Sequence, residues 1–295
     1  MKTEQMIRIV NDSFPDIDIK EIQTKSNGWD NNILILNKEM VFRFPKSHEI
    51  ATKVLAEADL IEQLRQKQPL LQIPQYEFLY VNETFMGVKY DYMHGESLSE
   101  PERNFTMDSN NAALLGDFLT KLHSIDLSTL KEKNIITVHT REYWQDLFKS
   151  VKTSIFPHLN SIQINEVLVC FEYFFNPSMF SANYETMIHG DLTTANIIFQ
   201  QERGLISGII DFTDTQLGDP AFDFAGVYWS FGPEFTKEVL SHYELGDRES
   251  IFNRVQLFYG LQPIFHELLH EMKENRDVNW DTALERFSYL LSLRD

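Results

Sequence analysis

The sequence has one cysteine, Cys170, so no disulfide can form within the chain. That excludes a disulfide-stapled scaffold and fits a reducing compartment. Set in VLVCFEYFF, the thiol reads as a small buried hydrophobe rather than a nucleophile. No apolar run approaches the about 18 residues of a membrane span. The opening MKTEQMIRIV is interrupted by polar residues and lacks the apolar centre of a secretory signal. The protein is therefore expected in the cytoplasm. Cations are scarce: 26 Lys and Arg stand against 44 Asp and Glu, for a formal net charge of −18. This argues against nucleic acid and anionic membrane as partners, and it is compatible with a cationic small molecule. Internal repeats and low-complexity linkers are lacking, and nothing marks an obligate protein partner.

What is there is an ordinary globular composition, 43% hydrophobic, ample for a real core. The apolar periodicity predicts a helix over Thr3 to Ser13, ended by Pro15. Strand-like runs follow at Ile17 to Thr24, Ile33 to Leu36 and Met40 to Phe44, the last two joined through Asn37 and Lys38. A helix is predicted from Ser47 to Gln66. Two further strands, Gln75 to Val81 and Thr84 to Tyr92, flank a tight turn at Asn82-Glu83. Residues 1–92 thus read as a five-stranded antiparallel sheet with helices. After Tyr92 strand signals mostly stop, and Met93 to Glu96 reads as a connector. Residues 93–295 read as mainly helical, starting with a helix from Ser109 to Ser124 that carries His123 as a structural residue.

Two charges in the first part invite attention. Arg43 lies mid-strand in MVFRF, where an unpaired charge would be costly to bury. Glu57 lies in the helix expected to pack on that sheet. A pair between them would satisfy both and leave a cation beside a phosphate. The alternative places Arg43 on the solvent face and makes Glu57 an ordinary surface residue. Between the first two strands, Ser26, Asn27 and Gly28 are small enough to let backbone N–H groups approach phosphates, though any hairpin loop can look like this.

The stretch from His189 to Asp223 carries the chemistry: HGDLTTANIIFQ, a turn containing Gly204, then GIIDFTDTQLGDPAFD. A strand pair over Asn196 to Gln200 and Gly208 to Phe212 would bring Asn196 and Asp211 to neighbouring ends. Those two oxygen donors could then converge on a hard cation such as Mg²⁺. Asp191 precedes Asn196 by five residues, close enough to meet a substrate hydroxyl in the same cavity.

These residues resemble the signature of the aminoglycoside phosphotransferases, small-molecule kinases of the protein-kinase-like fold, with macrolide kinases as relatives. The kinase catalytic loop is H-R-D with Asn five residues after the Asp, followed later by D-F-G. Here Gly190 replaces the Arg, and Asp211-Phe212-Thr213 replaces D-F-G. LGDFLTKLHSID at 115–126 resembles the helix before the family's catalytic region. The resemblance runs from about Thr24 to Phe224. It implies an α+β, bilobal fold with its hinge near residues 90–95. It implies that Asp191 orients the acceptor hydroxyl and takes its proton, and that Asn196 and Asp211 bind Mg²⁺. Arg43 would contact the phosphates of ATP or GTP with Glu57 as partner. Tyr90, Asp91, Tyr92 and Met93 would meet the base, while His189, Asp219 and Asp223 support the catalytic loop. Gly190 removes the Arg that senses activation-loop phosphorylation, and the short run after Asp211 leaves no room for a regulatory loop. The expectation is an unregulated small-molecule kinase.

The acceptor is less legible. Acids such as Glu234, Glu267 and Glu271 would attract a polycationic aminoglycoside, with the associated expectation of an antibiotic-resistance function. Trp280 and the apolar YWSFGPEF would suit a bulky macrolide or another hydroxylated metabolite. Two remote alternatives stand beside this reading. HELLH at 266–270 matches the zinc-peptidase pattern, with Glu285 as an unmarked third ligand. An inactive nucleotide-binding module is the other.

Overall fold

A computed structural model describes residues 1–25, 30–100, 105–130, 136–176 and 186–294. The first helix is α1 (Thr3–Ser13), as its periodicity predicts, with Met6 and Val10 buried one turn apart. It is followed by β1 (Ile22–Lys25), β2 (Asn31–Leu36) and β3 (Met40–Pro45). Asn37 and Lys38 have φ of 58° and 52°, the left-handed two-residue turn whose twist suits a hairpin. β1 starts later than its apolar pattern predicts. The Asn37 side chain accepts hydrogen bonds from Lys20 N at 2.8 Å and Glu21 N at 3.0 Å, so that backbone serves the turn instead of a ladder. Ile17 and Ile19 pack on the core from outside the strand.

Helix α2 (His48–Gln66) begins at Ser47, whose side chain accepts from Ile50 N at 3.2 Å. β4 (Glu77–Val81) and β5 (Thr84–Asp91) form a second hairpin through Asn82 and Glu83, again both left-handed. The strands make one antiparallel sheet in the order β1-β2-β3-β5-β4. Alternation along β3 sorts its side chains. Phe42 and Phe44 join Met6, Val10, Leu34, Leu36 and Leu79 in the core beneath α1. Val41 and Arg43 point to the opposite face, where Val41 packs with Ile35 and Tyr90 and α2 covers β3 and β5.

Further along are β6 (Glu96–Ser97), α3 (Ser109–His123), α4 (Arg141–Ser150), α5 (Ser161–Phe175) and β7 (Thr186–Ile188). β8 (Ile197–Gln200) and β9 (Leu205–Ile209) form the hairpin of the HGD stretch, and β10 (Gln216–Gly218) pairs with β7. The second hairpin strand lies earlier than the expected Gly208 to Phe212. Gly204, with φ of 64°, closes a tight turn that lets pairing resume at Leu205. Asp211, with φ of 63°, turns left-handed and cannot continue a strand. The chain ends in α6 (Ala225–Ser241), α7 (Arg248–Arg254), α8 (Pro263–Lys273) and α9 (Glu285–Ser292). Among the described residues no helix is long and apolar enough to cross a membrane.

The chain divides into two compact units. The first comprises Met1–Phe105, Asp126–Ile135 and Asn196–Thr213, so the β8–β9 hairpin clusters with the N-terminal sheet. Two backbone bonds of 2.9 Å tie it there, Gln72 N to Ser207 O and Ile209 N to Gln72 O. The second unit comprises Thr106–Ile125, Ile136–Ala195 and Asp214–Asp295. Its core is aromatic: Phe174 stacks on Phe258 at 3.8 Å, and Trp144 meets Phe258 edge-on at 5.2 Å.

Candidate active site

In the first unit several of the candidate side chains gather around Arg43. Its Nη1 donates to Glu57 Oε1 at 2.9 Å and to the Tyr76 hydroxyl at 2.5 Å. Its Nη2 donates to Thr213 Oγ1 at 2.6 Å and to Asp211 Oδ1 at 3.2 Å. The guanidinium side chain is 4% exposed, so the expected partner Glu57 matters: a buried charge needs a counter-charge. Burial alone would lower its pKa, but Glu57, then Tyr76 and Asp211, hold it well above the ordinary arginine value. Glu57 does more than pair. Its Oε1 also accepts from Tyr76 OH at 2.5 Å and from Phe212 N at 3.1 Å, fixing the backbone beside Asp211.

Asn196 and Asp211 leave the open end of the β8–β9 hairpin. Asn196 sits in the turn just before β8, and its carbonyl accepts from Ile210 N at 3.0 Å. That bond holds the backbones flanking the two residues together. The Asp211 side chain is 50% exposed, unlike its buried neighbours. An amide oxygen and a half-exposed carboxylate are hard donors of the kind Mg²⁺ takes, and two protein ligands leave positions for phosphate oxygens and water. The residues present fit the ion.

At the end of β5, Tyr92 N donates to Glu39 O at 2.7 Å. Among the described residues the N–H and C=O of Met93 have no protein partner, which leaves them available to a planar ligand. Tyr90 turns inward against Tyr76 at 5.6 Å, and burial pushes its phenol up to about 12. Asp91 pairs across the sheet with Met40. The loop candidates Ser26, Asn27 and Gly28 lie outside the described residues.

In the second unit β7 delivers His189, Gly190 and Asp191. Asp223 braces this loop: its Oδ2 accepts from His189 N at 2.7 Å and its Oδ1 from Gly190 N at 3.0 Å. Asp223 Oδ2 also lies 3.0 Å from His123 Nε2, and His123 Nδ1 is 2.9 Å from the Tyr243 hydroxyl. Burial opposes the Asp223 charge, but these bonds and the neighbouring imidazoles hold its carboxyl below the usual range. The His189 ring is buried, and its Nδ1 accepts from Asp191 N at 3.3 Å. Gly190 has φ of 80°, and a Cβ there would run into the Asp214 carbonyl. Glycine is therefore required where a kinase-like H-R-D loop would carry arginine.

Asp219 corrects an expectation. Instead of holding the catalytic loop, it accepts from Ala221 N at 2.9 Å and from Arg254 Nε and Nη2 at 2.7 and 2.9 Å. It caps the following turn and anchors it to α7, because its position at the turn's first residue aims its carboxylate along the turn axis.

The acceptor candidates are dispersed. Glu234 is exposed on α6 and pairs with Lys237 at 3.0 Å. Glu267 is exposed on α8, and Glu271 pairs with Arg276 at 2.9 Å. Trp280 stacks on His158 at 4.3 Å. Of the YWSFGPEF aromatics, Tyr228 and Phe235 are core. HELLH does lie on α8, but among the described residues no group of three His, Cys, Asp or Glu side chains could hold a metal ion. A zinc-peptidase site lacks its third ligand there. Sequence reasoning missed Tyr76, Thr213 and the brace role of His123; no spacing signal marks the first two.

Comparisons with known proteins bear on the family and the fold. The model of the phosphotransferase enzyme family matches residues 21–257. Viomycin phosphotransferase of Streptomyces vinaceus is 29% identical over 103 residues, 33% of this chain and 34% of that protein. The chain spans less than half the length of the curated relatives it matches, 41% and 34%. Among solved structures, the GDP complex of aminoglycoside 2'-phosphotransferase-IIIa superposes with a TM-score of 0.80 at 23% identity, covering 99% of each chain. Macrolide 2'-phosphotransferase type I gives 0.67 at 17% identity over 98% of this chain and 95% of that one. These likenesses establish the fold. The family match runs from the sheet that carries Arg43 through the loop of Asp191 and past Asp223, and on that span the chain belongs to the phosphotransferase enzyme family.

Proposed function

We propose that the protein transfers the γ-phosphate of ATP or GTP to a hydroxyl of a small molecule in the cytoplasm, with an aminoglycoside-type acceptor. The observation that supports this most directly is the Arg43 cluster, a buried guanidinium fixed by Glu57 beside a half-exposed Asp211. In this reading Arg43 neutralises phosphate charge, and Tyr90 to Met93 presents backbone to the base. Asn196 and Asp211 would hold Mg²⁺, which would supply positive charge against the phosphate oxygens. Asp191 accepts a hydrogen bond from the acceptor hydroxyl, aligns its oxygen on phosphorus and takes the proton as the O–P bond forms. The bond to the nucleoside diphosphate breaks in the same displacement. Most of the acceleration comes from positioning and electrostatics. The Asp223 brace keeps the Asp191 loop from relaxing.

The aminoglycoside class rests on the net charge of −18 and on the names of the structural relatives. A macrolide is the second reading, favoured by the likeness to a macrolide phosphotransferase. The test is a coupled nucleotide-consumption assay with aminoglycosides, viomycin, macrolides and simple amino alcohols, each with ATP and with GTP. Consumption that depends on a hydroxylated acceptor is expected. Tight Mg-nucleotide binding without acceptor-dependent turnover would replace this reading with an inactive nucleotide-binding module.

A further inference from the structure

Thr213 stands where a kinase-like D-F-G segment carries glycine, and its hydroxyl is engaged on both sides. Arg43 Nη2 donates to Thr213 Oγ1 at 2.6 Å. The single hydroxyl proton then has two acceptors within reach, Asp211 Oδ1 at 2.9 Å and Glu57 Oε2 at 3.4 Å. The shorter contact wins, so the proton points at Asp211. Oδ1 of Asp211 thereby receives two donors, Thr213 Oγ1 and Arg43 Nη2, and no hydrogen bond fixes Oδ2 among the described residues. Thr213 is itself buried, whereas the Asp211 side chain is half exposed.

We propose that Thr213 is a positioning residue for the metal-binding carboxylate. It holds Asp211 by one oxygen and leaves the other to a divalent cation. The inference rests on the phosphotransfer reading and adds a residue to it. Two physical points carry it. Asp211 sits at φ of 63°, a backbone conformation that non-glycine residues keep only when their surroundings hold it. A side chain two residues on, buried and hydrogen-bonded to the same carboxylate, supplies such a hold. Hydrogen bonds to a ligating carboxylate fix its orientation, and their loss typically costs about 10- to 100-fold in metal affinity. Thr213 also keeps Arg43 from capturing Asp211 alone. With the hydroxyl between them, Nη2 divides its donation, and the Arg43–Asp211 contact stays at 3.2 Å while Arg43–Glu57 closes to 2.9 Å. Without it the cation and the carboxylate would close into a tighter pair, in competition with the metal.

The experiment compares wild type, Thr213→Val and Thr213→Ser. MgADP and MgGDP binding is measured by calorimetry across a Mg²⁺ titration, with Mn²⁺ binding followed by electron paramagnetic resonance as a readout independent of turnover. Thr213→Val should raise the Mg²⁺ concentration needed for half-maximal nucleotide binding by about tenfold or more. Thr213→Ser, which keeps the hydroxyl, should need a Mg²⁺ concentration well below the about tenfold rise of the valine variant and near that of wild type. Melting temperature separates folding from metal binding, because valine keeps the shape of threonine and loses the hydroxyl, whereas serine keeps the hydroxyl and loses the methyl. A Thr213→Val protein with wild-type Mg²⁺ and Mn²⁺ dependence overturns the proposal, as does a serine variant as impaired as the valine one. If wild type itself binds nucleotide without any dependence on Mg²⁺, the metal-assisted reading falls first and takes this role with it.

Discussion

Glu57→Gln tests whether the Arg43 cluster is organised by charge or only by shape. The substitution keeps volume and one acceptor oxygen but removes the counter-charge of a guanidinium whose side chain is 4% exposed. Three donors converge on Glu57 Oε1: Arg43 Nη1 at 2.9 Å, Tyr76 OH at 2.5 Å and Phe212 N at 3.1 Å. Hydrogen bonds to a charged acceptor contribute about 1 kcal/mol more than neutral ones, so the sum is a loss of about 3 kcal/mol. Glu57→Ala, which removes the buried counter-charge and its acceptor oxygens, should cost about 3–5 kcal/mol. The Asp211 carboxylate cannot compensate, because it is half solvated and 3.2 Å from the other nitrogen. Urea unfolding gives the numbers. The paired substitution Arg43→Met with Glu57→Leu removes both charges, and its cost should fall short of the summed costs of Arg43→Met and Glu57→Leu made singly by about 2 kcal/mol or more. A Glu57→Gln protein that unfolds at the wild-type midpoint would refute the reasoning. So would singles and double that add within about 0.5 kcal/mol.

Two other expectations concern turnover and pH. Asp191→Ala should lower kcat by roughly 10²-fold or more while nucleotide affinity stays near wild type, and Asp211→Ala should instead weaken nucleotide binding in Mg²⁺; equal effects of the two on kcat and affinity would contradict the assigned roles. His139 is held neutral by burial, with the nearby His266 adding to the effect, so its pKa falls from 6.5 to about 4. Above pH 6.5 both folded and unfolded states are neutral at this group. Below it the unfolded state takes a proton that the folded state refuses, so stability drops as pH falls toward 4, by at most about 3 kcal/mol. His139→Phe should flatten the unfolding midpoint between pH 6.5 and 4.5, a window above the one where Asp223 titrates. An unchanged pH slope would count against it.

The sheet of the first unit was legible because its signals are local. Alternating apolar residues in MVFRF, left-handed turn residues at Asn37-Lys38 and Asn82-Glu83, and the serine cap of α2 each act within a few residues. Where the expectations slipped, a distant partner decided. β1 is short because the Asn37 side chain takes the backbone donors of Lys20 and Glu21. Asp211 leaves β9 because Glu57, far away in sequence, claims the amide of Phe212. The grouping of β8–β9 with the N-terminal sheet follows from Gln72, a residue with no distinctive sequence signal.

The proposed site divides along the same line. Asp191, Asn196 and Asp211 are readable from spacing because one short loop and one hairpin carry them. Arg43 and Glu57 are readable because a buried strand charge demands a partner, and the 2.9 Å pair answers that demand. Tyr76 and Thr213 are not readable, since a tyrosine in a loop and a threonine after D-F are ordinary residues until their hydroxyls meet a buried guanidinium. They matter for the same reason that they are hidden. A guanidinium has more donors than one carboxylate can accept, so a second layer of acceptors must close around it. Acids that might face an acceptor give no such constraint: Glu234 and Glu271 each find a nearby cation on the surface, at 3.0 and 2.9 Å, and that is what solvated helix acids do with or without a ligand. The Arg43–Glu57 pair is therefore written in groups whose burial forces them together. The choice of acceptor is written in surface groups that no packing requirement fixes, and only an acceptor series can read it.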